Sequence, residues 1–242
     1  VLVLGGLDGD AQHGTTELFS SYSGKFAPGP ALAARRWGCA AVALGGGRVL
    51  VAGGSDGLVD QSSTEVLDLA SMTSAPGPNM RAPRSGCAAV RLDDRRVLVL
   101  GGHGLDSTEM LDLELMEFVP GPRLAAQRAC CGAMMLDEDR LIVTGGFNHS
   151  GACDTSEVAT VTWAFREEAG HYDLEKVRFS QGPRLAHRRG GCAMVRLDSN
   201  RALVIGGSDG FSRQRSTEVL HLESMIFSPG PDMGTPRSGS AV

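Results

Sequence analysis

The sequence lacks several features that would point to a membrane or nucleic-acid protein. Aromatic residues make up only 5% of its 242 residues, so the core must be built from Val, Leu, Ala and Met. No apolar run approaches the roughly 18 residues that a membrane span requires, and no charged-then-apolar signal segment opens the chain. The formal charge of −5 argues against general binding of nucleic acid, since phosphate contacts need basic surface. We therefore expect neither membrane nor nucleic acid as a partner.

The sequence also lacks the residue spacings of a metal or disulfide framework. It has six cysteines, but no two of them stand in the Cys-x-x-Cys spacing of zinc sites. The histidines are scattered without ligand spacing, and no glycine-rich phosphate cradle opens a helix. We therefore expect no metal, no cofactor and free core thiols. Free thiols are typical of a reducing compartment, so the expected location is cytoplasmic.

What the sequence has in excess is glycine, with 33 residues, and much of it lies in a repeat. A Gly pair ends an apolar run five times, and the distance from each Gly-Pro to the next pair is 24 positions, as from Gly29 to Gly53. A Glu and an Arg recur with each pair. The pairs are Gly5 and Gly6, Gly53 and Gly54, Gly101 and Gly102, Gly145 and Gly146, and Gly206 and Gly207. The glutamates are Glu17, Glu65, Glu109, Glu157 and Glu218. The arginines are Arg36, Arg84, Arg128, Arg189 and Arg237.

Each copy of the repeat predicts four strands. The small run Gly86–Leu92 indicates an innermost strand that is buried on both faces. A second strand runs into the Gly pair, and a third, such as Thr64–Leu69, alternates between apolar and polar residues. The outermost strand ends at a Phe just before the Gly-Pro turn. Repeated four-stranded units of this length are typical of a β-propeller.

We therefore predict an all-β fold, a propeller of five four-stranded blades in one domain covering residues 1–242, monomeric as a domain. Residues Arg237–Val242 match the start of an innermost strand, and Val1–Gly6 match the strand paired with it. The termini are thus expected to share one blade, which would remove exposed sheet edges. Six blades are the alternative if the parent chain is longer.

The order of Gly pair, Glu region and Arg-x-Gly resembles the kelch family over essentially the whole chain. The chain departs from the family at two core positions. The tyrosine after the Glu is replaced by Phe19, Leu67, Leu111, Ala159 and Leu220, and the tryptophan by Phe26, Ser74, Phe118, Phe179 and Phe227. The resemblance implies a kelch-type propeller. In several kelch proteins the corresponding arginines contact an acidic peptide.

The repeated glutamates predict ion pairs with the repeated arginines. Glu65 shares one side of its strand with Leu67, and a carboxylate on an apolar face needs a partner. Because the five glutamates are matched by five arginines, we expect one Glu–Arg pair per blade. On this hypothesis the repeated glycines and glutamates are structural.

The arginines also give the functional prediction. The connectors from Gly-Pro to the small run carry ten arginines and one acid, and we expect them to gather at a channel mouth formed by inter-blade loops. Trp37 is an unrepeated aromatic there, where other copies have small residues. We predict a protein partner, such as an acidic peptide segment, bound by Arg36, Trp37, Arg84, Arg128, Arg189 and Arg237. In the opposing hypothesis, the repeated glutamates and the aspartates of neighbouring loops neutralise these arginines.

The rival function is a small-molecule enzyme acting on sugars, or an oxidase of the galactose oxidase type. The oxidase needs two tyrosines, two histidines and a cysteine in one place, and the chain has only Tyr22 and Tyr172. Repetition favours binding, because catalysis requires unique convergent groups, so we expect no enzyme. The fourth copy has 13 extra residues within 159–178, which indicates either a partner contact or an elaborated hairpin.

Overall fold

The computed structural model describes residues 1–9, 11–166 and 171–239, with 163–166 and 171–175 described by their backbone alone. Every regular element among them is a strand, and this part of the chain has no helix that could cross a membrane. The chain divides into two compact units. The first comprises Val1–His103 and Glu109–Pro120, and the second comprises Gly104–Thr108 and Gly121–Val242.

Five antiparallel sheets follow one another along the described chain, each a meander of consecutive strands. This confirms the predicted fold class, an all-β propeller of five blades. Three blades belong to the first unit, apart from Thr108, and two belong to the second.

The first unit contains the first three blades. Its strands are β1 (Leu2–Leu4), β2 (Leu7–Asp8), β3 (Ala11–Gln12), β4 (Thr16–Ser20), β5 (Lys25–Pro28), β6 (Ala40–Gly45), β7 (Arg48–Ala52), β8 (Thr64–Asp68), β9 (Thr73–Pro76), β10 (Ala88–Arg91), β11 (Arg96–Leu100), β12 (Thr108–Asp112) and β13 (Glu117–Pro120). The sheet orders are β1-β4-β5, β6-β7-β8-β9 and β10-β11-β12-β13, and β2 and β3 form a separate small hairpin.

The second unit contains the last two blades. Its strands are β14 (Gly132–Met135), β15 (Arg140–Thr144), β16 (Phe147–Asn148), β17 (Gly151–Ala152), β18 (Ser156–Arg166), β19 (His171–Gln181), β20 (Ala193–Arg196), β21 (Arg201–Ile205), β22 (Thr217–His221) and β23 (Ile226–Pro229). The sheet orders are β14-β15-β18-β19 and β20-β21-β22-β23, and β16 and β17 form a separate hairpin.

The strand that ends at each Gly pair forms the most buried part of its sheet. In β11, Val97–Leu100 are fully buried, and in β7 the last three residues are fully buried. Such strands are apolar on both faces because neighbouring layers cover both faces. As the composition predicts, the core is aliphatic.

Two strand predictions need correction. The outermost strands do not end at the repeated Phe. They continue two residues further, because Pro120 still lies opposite Glu109 in the ladder. The small run is also less buried than predicted, since Ala88 and Ala89 of β10 are half-buried.

The predicted blade shared by the two termini falls partly on residues 240–242, which lie outside the described residues. The first blade accordingly has three described strands, β1, β4 and β5. The shared blade and the single domain over residues 1–242 stay predictions.

Candidate functional site

The connectors and the loops after the Gly pairs lie together at one end of the blades within each unit. In the first unit, Gly6 N donates to the carbonyl of Arg36 at 2.9 Å, and Arg36 N donates to the carbonyl of His13 at 3.1 Å. Gly54 N donates to the carbonyl of Arg84 in the same way, at 2.7 Å. Each of these connectors is therefore fixed against the Gly pair of the blade that it leaves.

This close approach explains the first glycine of the pair. Gly53 has a φ of 67°, and a Cβ there would lie 2.3 Å from the carbonyl oxygen of Arg84. Both the left-handed backbone and the missing space exclude other residues. The second unit repeats the approach, because a Cβ on Gly145 would lie 2.3 Å from the carbonyl oxygen of Arg189.

The arginine side chain crosses from its connector to the next blade. Arg36 Nε donates to Glu65 Oε1 at 2.9 Å. Arg36 Nη1 donates to the carbonyls of Gly53 and Ser63 at 2.8 and 3.0 Å, and Nη2 donates to Ser63 Oγ at 2.8 Å. The backbone of Arg36 thus binds the first blade while its guanidinium binds the second. We call this arrangement an Arg–Glu joint.

The joint occurs four times in the described chain. The first unit holds Arg36–Glu65 and Arg84–Glu109, at 2.9 and 3.0 Å, and the second unit holds Arg128–Glu157 and Arg189–Glu218, at 3.0 and 2.9 Å. All eight side chains are at most 4% exposed. This confirms the predicted ion pair for these four copies.

Each glutamate also binds the connector backbone. Glu65 accepts hydrogen bonds from the backbone N–H groups of Ala33 and Ala34 at 2.6 and 3.2 Å, and from Ser74 Oγ at 2.7 Å. Burial tends to raise the pKa of Glu65. The donors Ala33 N–H, Ser74 and Arg36 outweigh burial, so the net pKa is lowered. Glu65 is therefore held as a carboxylate.

The joints correct the partner-binding prediction for four arginines. Arg36, Arg84, Arg128 and Arg189 are 0–2% exposed, and their guanidiniums are bound to protein acceptors. Groups so buried are not available to a partner. The repeated arginines match the repeated glutamates in number because the two residues form a repeated structural joint.

The remaining copies differ. Arg237 O accepts from Gly207 N at 2.8 Å, as in the other connectors of this kind, but its side chain is exposed. Glu17, in the first unit, is also exposed. Partner binding by Arg237 and Trp37 stays a prediction.

The other connector arginines lie at the surface, and some of them pair with loop aspartates. In the second unit, Arg123 pairs with Asp106 at 2.7 Å and Arg184 pairs with Asp154 at 3.1 Å. Exposed pairs of this kind contribute at most about 1 kcal/mol. They reduce the positive charge of these connectors, which is what the opposing hypothesis expects of the loop aspartates.

Two loops after Gly pairs present large apolar residues on ordered turns. In the first unit, Asp56 Oδ1 accepts from the backbone N–H groups of Leu58 and Val59, both at 2.9 Å. These donors lower the pKa of Asp56, so the turn is held over a wide pH range. Leu58 is 92% exposed and Val59 is 60% exposed.

The second unit repeats this turn with an aromatic tip. Asp209 Oδ1 accepts from Phe211 N and Ser212 N, both at 2.8 Å, and Phe211 is fully exposed. The repeat pattern assigns none of Leu58, Val59 and Phe211 to a binding site. The signal was present, since Ser-Asp-Gly occurs at 55–57 and again at 208–210, each time before a large apolar residue.

Trp37 lies beside the first of these turns. Its N–H donates to the carbonyl of Ser55 at 3.0 Å, and Ser55 N donates back to the carbonyl of Trp37 at 2.9 Å. The indole is 37% exposed. Trp37, Leu58 and Val59 together form what we call the loop surface of the first unit.

An open pocket of about 350 Å³ lies elsewhere in the second unit, lined by Asn200, His221, Glu223 and Ser224. His221 Nε2 lies 2.8 Å from Ser228 Oγ. Among the residues that the structure describes, no group of three or more His, Cys, Asp or Glu is placed to hold a metal ion.

Comparison with known proteins gives no family. No protein-family model matches the chain, and no curated protein matches it. The kelch resemblance therefore rests on the repeated residues of this sequence.

Proposed function

We propose that the chain is a protein-interaction module of kelch type, which binds a partner through its loops and is not an enzyme. The observation that supports this most is the pair of Ser-Asp-Gly turns with exposed tips at Leu58 and Phe211. Clustered exposed apolar residues are typical of binding surfaces, and Leu58 and Val59 lie side by side on the first of these turns. Their turns are already ordered by hydrogen bonds to an aspartate, so binding costs little conformational entropy.

The loop surface of the first unit supplies the anchor in this proposal. Trp is enriched among the residues that dominate interface energies, and the backbone of Trp37 is held by its two hydrogen bonds with Ser55. Arg35 and Arg81, on the connectors of the same unit, are exposed. A partner segment with an apolar residue flanked by acidic residues fits this combination of groups.

The test compares partner recovery by three immobilised proteins at equal concentration. A Trp37→Ser, Leu58→Ser double variant removes the apolar anchor. The matched control is Leu115→Ser, because Leu115 is 72% exposed but lies in the turn between β12 and β13, away from the loops. Bound proteins are quantified by mass spectrometry.

We expect the wild type and the Leu115→Ser control to recover the same partner, and the double variant to lose it. Recovery should also fall as salt rises, because Arg35 and Arg81 are solvent-exposed charges. Equal recovery by all three proteins would refute binding through this surface.

A further inference from the structure

The hairpin of the fourth blade extends well beyond its sheet. Strands β18 and β19 have 11 residues each, whereas β22 and β23 of the fifth blade have five and four. The ladder between β15 and β18 ends where Arg140 lies opposite Thr160. Residues 161–166 of β18 therefore continue beyond the end of β15, paired only with β19.

This overhang leaves one edge of β18 open in the described part of the unit. Val161 N donates to the carbonyl of Asp139 at 2.7 Å, on the side of β15. Because backbone N–H groups alternate along a strand, those of residues 163 and 165 point to the same side, beyond the first residue of β15. The segment from Val161 to Phe165 contains no Pro and no charged residue, the usual devices that protect an edge.

The register of the hairpin places apolar residues opposite one another. Trp163 lies opposite Leu174 and Phe165 lies opposite Tyr172 in the Cα pairing. By the two-residue period of a strand, these positions continue the face of Ala159, which is fully buried in the blade.

A bulge keeps this face continuous. The register shifts at Thr162/Trp163, with Lys176 opposite Thr162 and Leu174 opposite Trp163. The apolar pattern of β19 changes phase at the same point, from positions 172 and 174 to positions 177 and 179. The bulge therefore keeps apolar positions of the two strands paired past the end of the blade.

We propose that the open edge of β18 beyond the Val161 N–H, at residues 163 to 165, takes an extended segment of a partner protein as an added strand. The segment carries apolar residues at alternate positions, which continue the face of positions 163, 165, 172 and 174. A strand is the occupant that matches a row of backbone donors and acceptors, and alternate side chains supply specificity. The hairpin lies in the second unit, at the end of its blade opposite Gly145, whereas the loop surface belongs to the first unit.

The experiment uses a synthetic probe, a peptide of alternating threonine and valine with a lysine at each end. Its binding to the full chain is measured by fluorescence anisotropy up to millimolar concentration. The comparison protein has residues 161–177 replaced by the four-residue turn sequence Leu222–Met225 of the fifth blade, which shortens the chain by the 13 extra residues. Leu58→Ser serves as the control for the loop surface.

We expect the peptide to bind the full chain and Leu58→Ser equally, and to bind the shortened chain at least about ten-fold more weakly. Two N-methylated peptides test the backbone directly, since a paired strand uses the N–H groups of alternate residues. Methylation of one alternate set should abolish binding, and methylation of the other should preserve it.

Four results would overturn the proposal. They are equal binding by the shortened chain, equal effects of the two methylated peptides, no binding at millimolar peptide, or a dimer in sedimentation that depends on residues 161–177. The last result would assign the edge to a second copy of the chain. Loss of the Trp37, Leu58 partner would leave all of these results unchanged, so the two proposals fail separately.

Discussion

Individual residues carry strain that the repeat pattern alone does not show. Met72, Met116 and Met225 have φ angles of 57°, 52° and 53°, at the turn position where the first blade has Gly24 with φ 65°. A residue with a Cβ in this left-handed conformation costs roughly 1–2 kcal/mol. Three blades tolerate this cost at a turn that glycine would form without it.

Met116→Gly is expected to raise the free energy of unfolding by about 0.5–1 kcal/mol, because relief of the backbone strain exceeds the added entropy of the unfolded chain. Met116 is 41% exposed, so little packing is lost. Denaturant unfolding measures the change. Gly24→Ala is the converse variant and should destabilise, and a destabilised Met116→Gly would contradict the explanation.

Thr144 is the one buried side-chain polar group, among the described residues, whose oxygen has no hydrogen-bond partner. The corresponding residue of the second blade is Ala52, and that of the third is Leu100. Thr144→Val replaces the hydroxyl by a methyl group of similar size and should stabilise the chain by about 1 kcal/mol. A lower melting temperature for Thr144→Val would show that the hydroxyl is satisfied in solution.

Glu65 makes stability dependent on pH in a defined direction. Its pKa in the folded chain is lowered from the ordinary value of 4.5, so its contribution is fully present above that value. The contribution is lost as pH falls through the lower folded pKa, because the unfolded chain then takes up the proton first. Glu65→Gln removes this dependence.

Unfolding free energies of the wild type and Glu65→Gln should therefore differ most near pH 7 and converge as the pH falls below about 4.5. Denaturant titrations at each pH give the two curves. A difference that stays constant, or grows, as the solution becomes acidic would show that the carboxylate is not stabilised in the folded chain.

At the scale of elements, the Arg–Glu joint links consecutive blades inside each unit. The connector backbone is hydrogen-bonded to one blade, and its guanidinium reaches the glutamate of the next. Arg84 contacts both Glu109 and the carbonyl of Gly101, at 3.0 and 2.7 Å. Loss of one such side chain leaves a buried carboxylate with its charge uncompensated.

Arg84→Met is expected to lower the free energy of unfolding by about 3–5 kcal/mol. The double variant Arg84→Met, Glu109→Gln should lose less unfolding free energy than the sum of the losses in the two single variants. Each single variant leaves one buried charge uncompensated, whereas the double variant removes both charges. A double-mutant cycle by denaturant unfolding provides the measurement. Additive effects, or a loss below about 1 kcal/mol for Arg84→Met, would contradict the joint.

Much of the arrangement of strands and blades follows from the sequence. The Gly pairs with constant spacing predict the blades, and the matched copies of Glu and Arg predict the ion pairs. The burial of the arginines does not follow, because a repeat pattern does not show that a backbone binds one blade while its side chain enters the next. The apolar tips Leu58 and Phe211 also escape prediction, since they lie in loops where no period identifies a buried or exposed face.

At the scale of the whole molecule, the Gly pairs and the Arg–Glu joints maintain the fold, and the two proposed binding surfaces use other residues. The joints and Gly pairs recur in both units, whereas Trp37 and the long hairpin of β18 and β19 occur once. The proposed loop surface lies in the first unit, and the proposed hairpin edge lies in the second. Neither surface uses the four arginines that the repeat emphasises.

The most direct test of this division is hydrogen exchange at the arginine Nε–H groups, followed by NMR on the folded chain. The account predicts slow exchange for Arg36, Arg84, Arg128 and Arg189, and fast exchange for the exposed Arg35 and Arg81. Exchange of the first four at the rate of Arg35 would place their guanidiniums in solvent and contradict the joints.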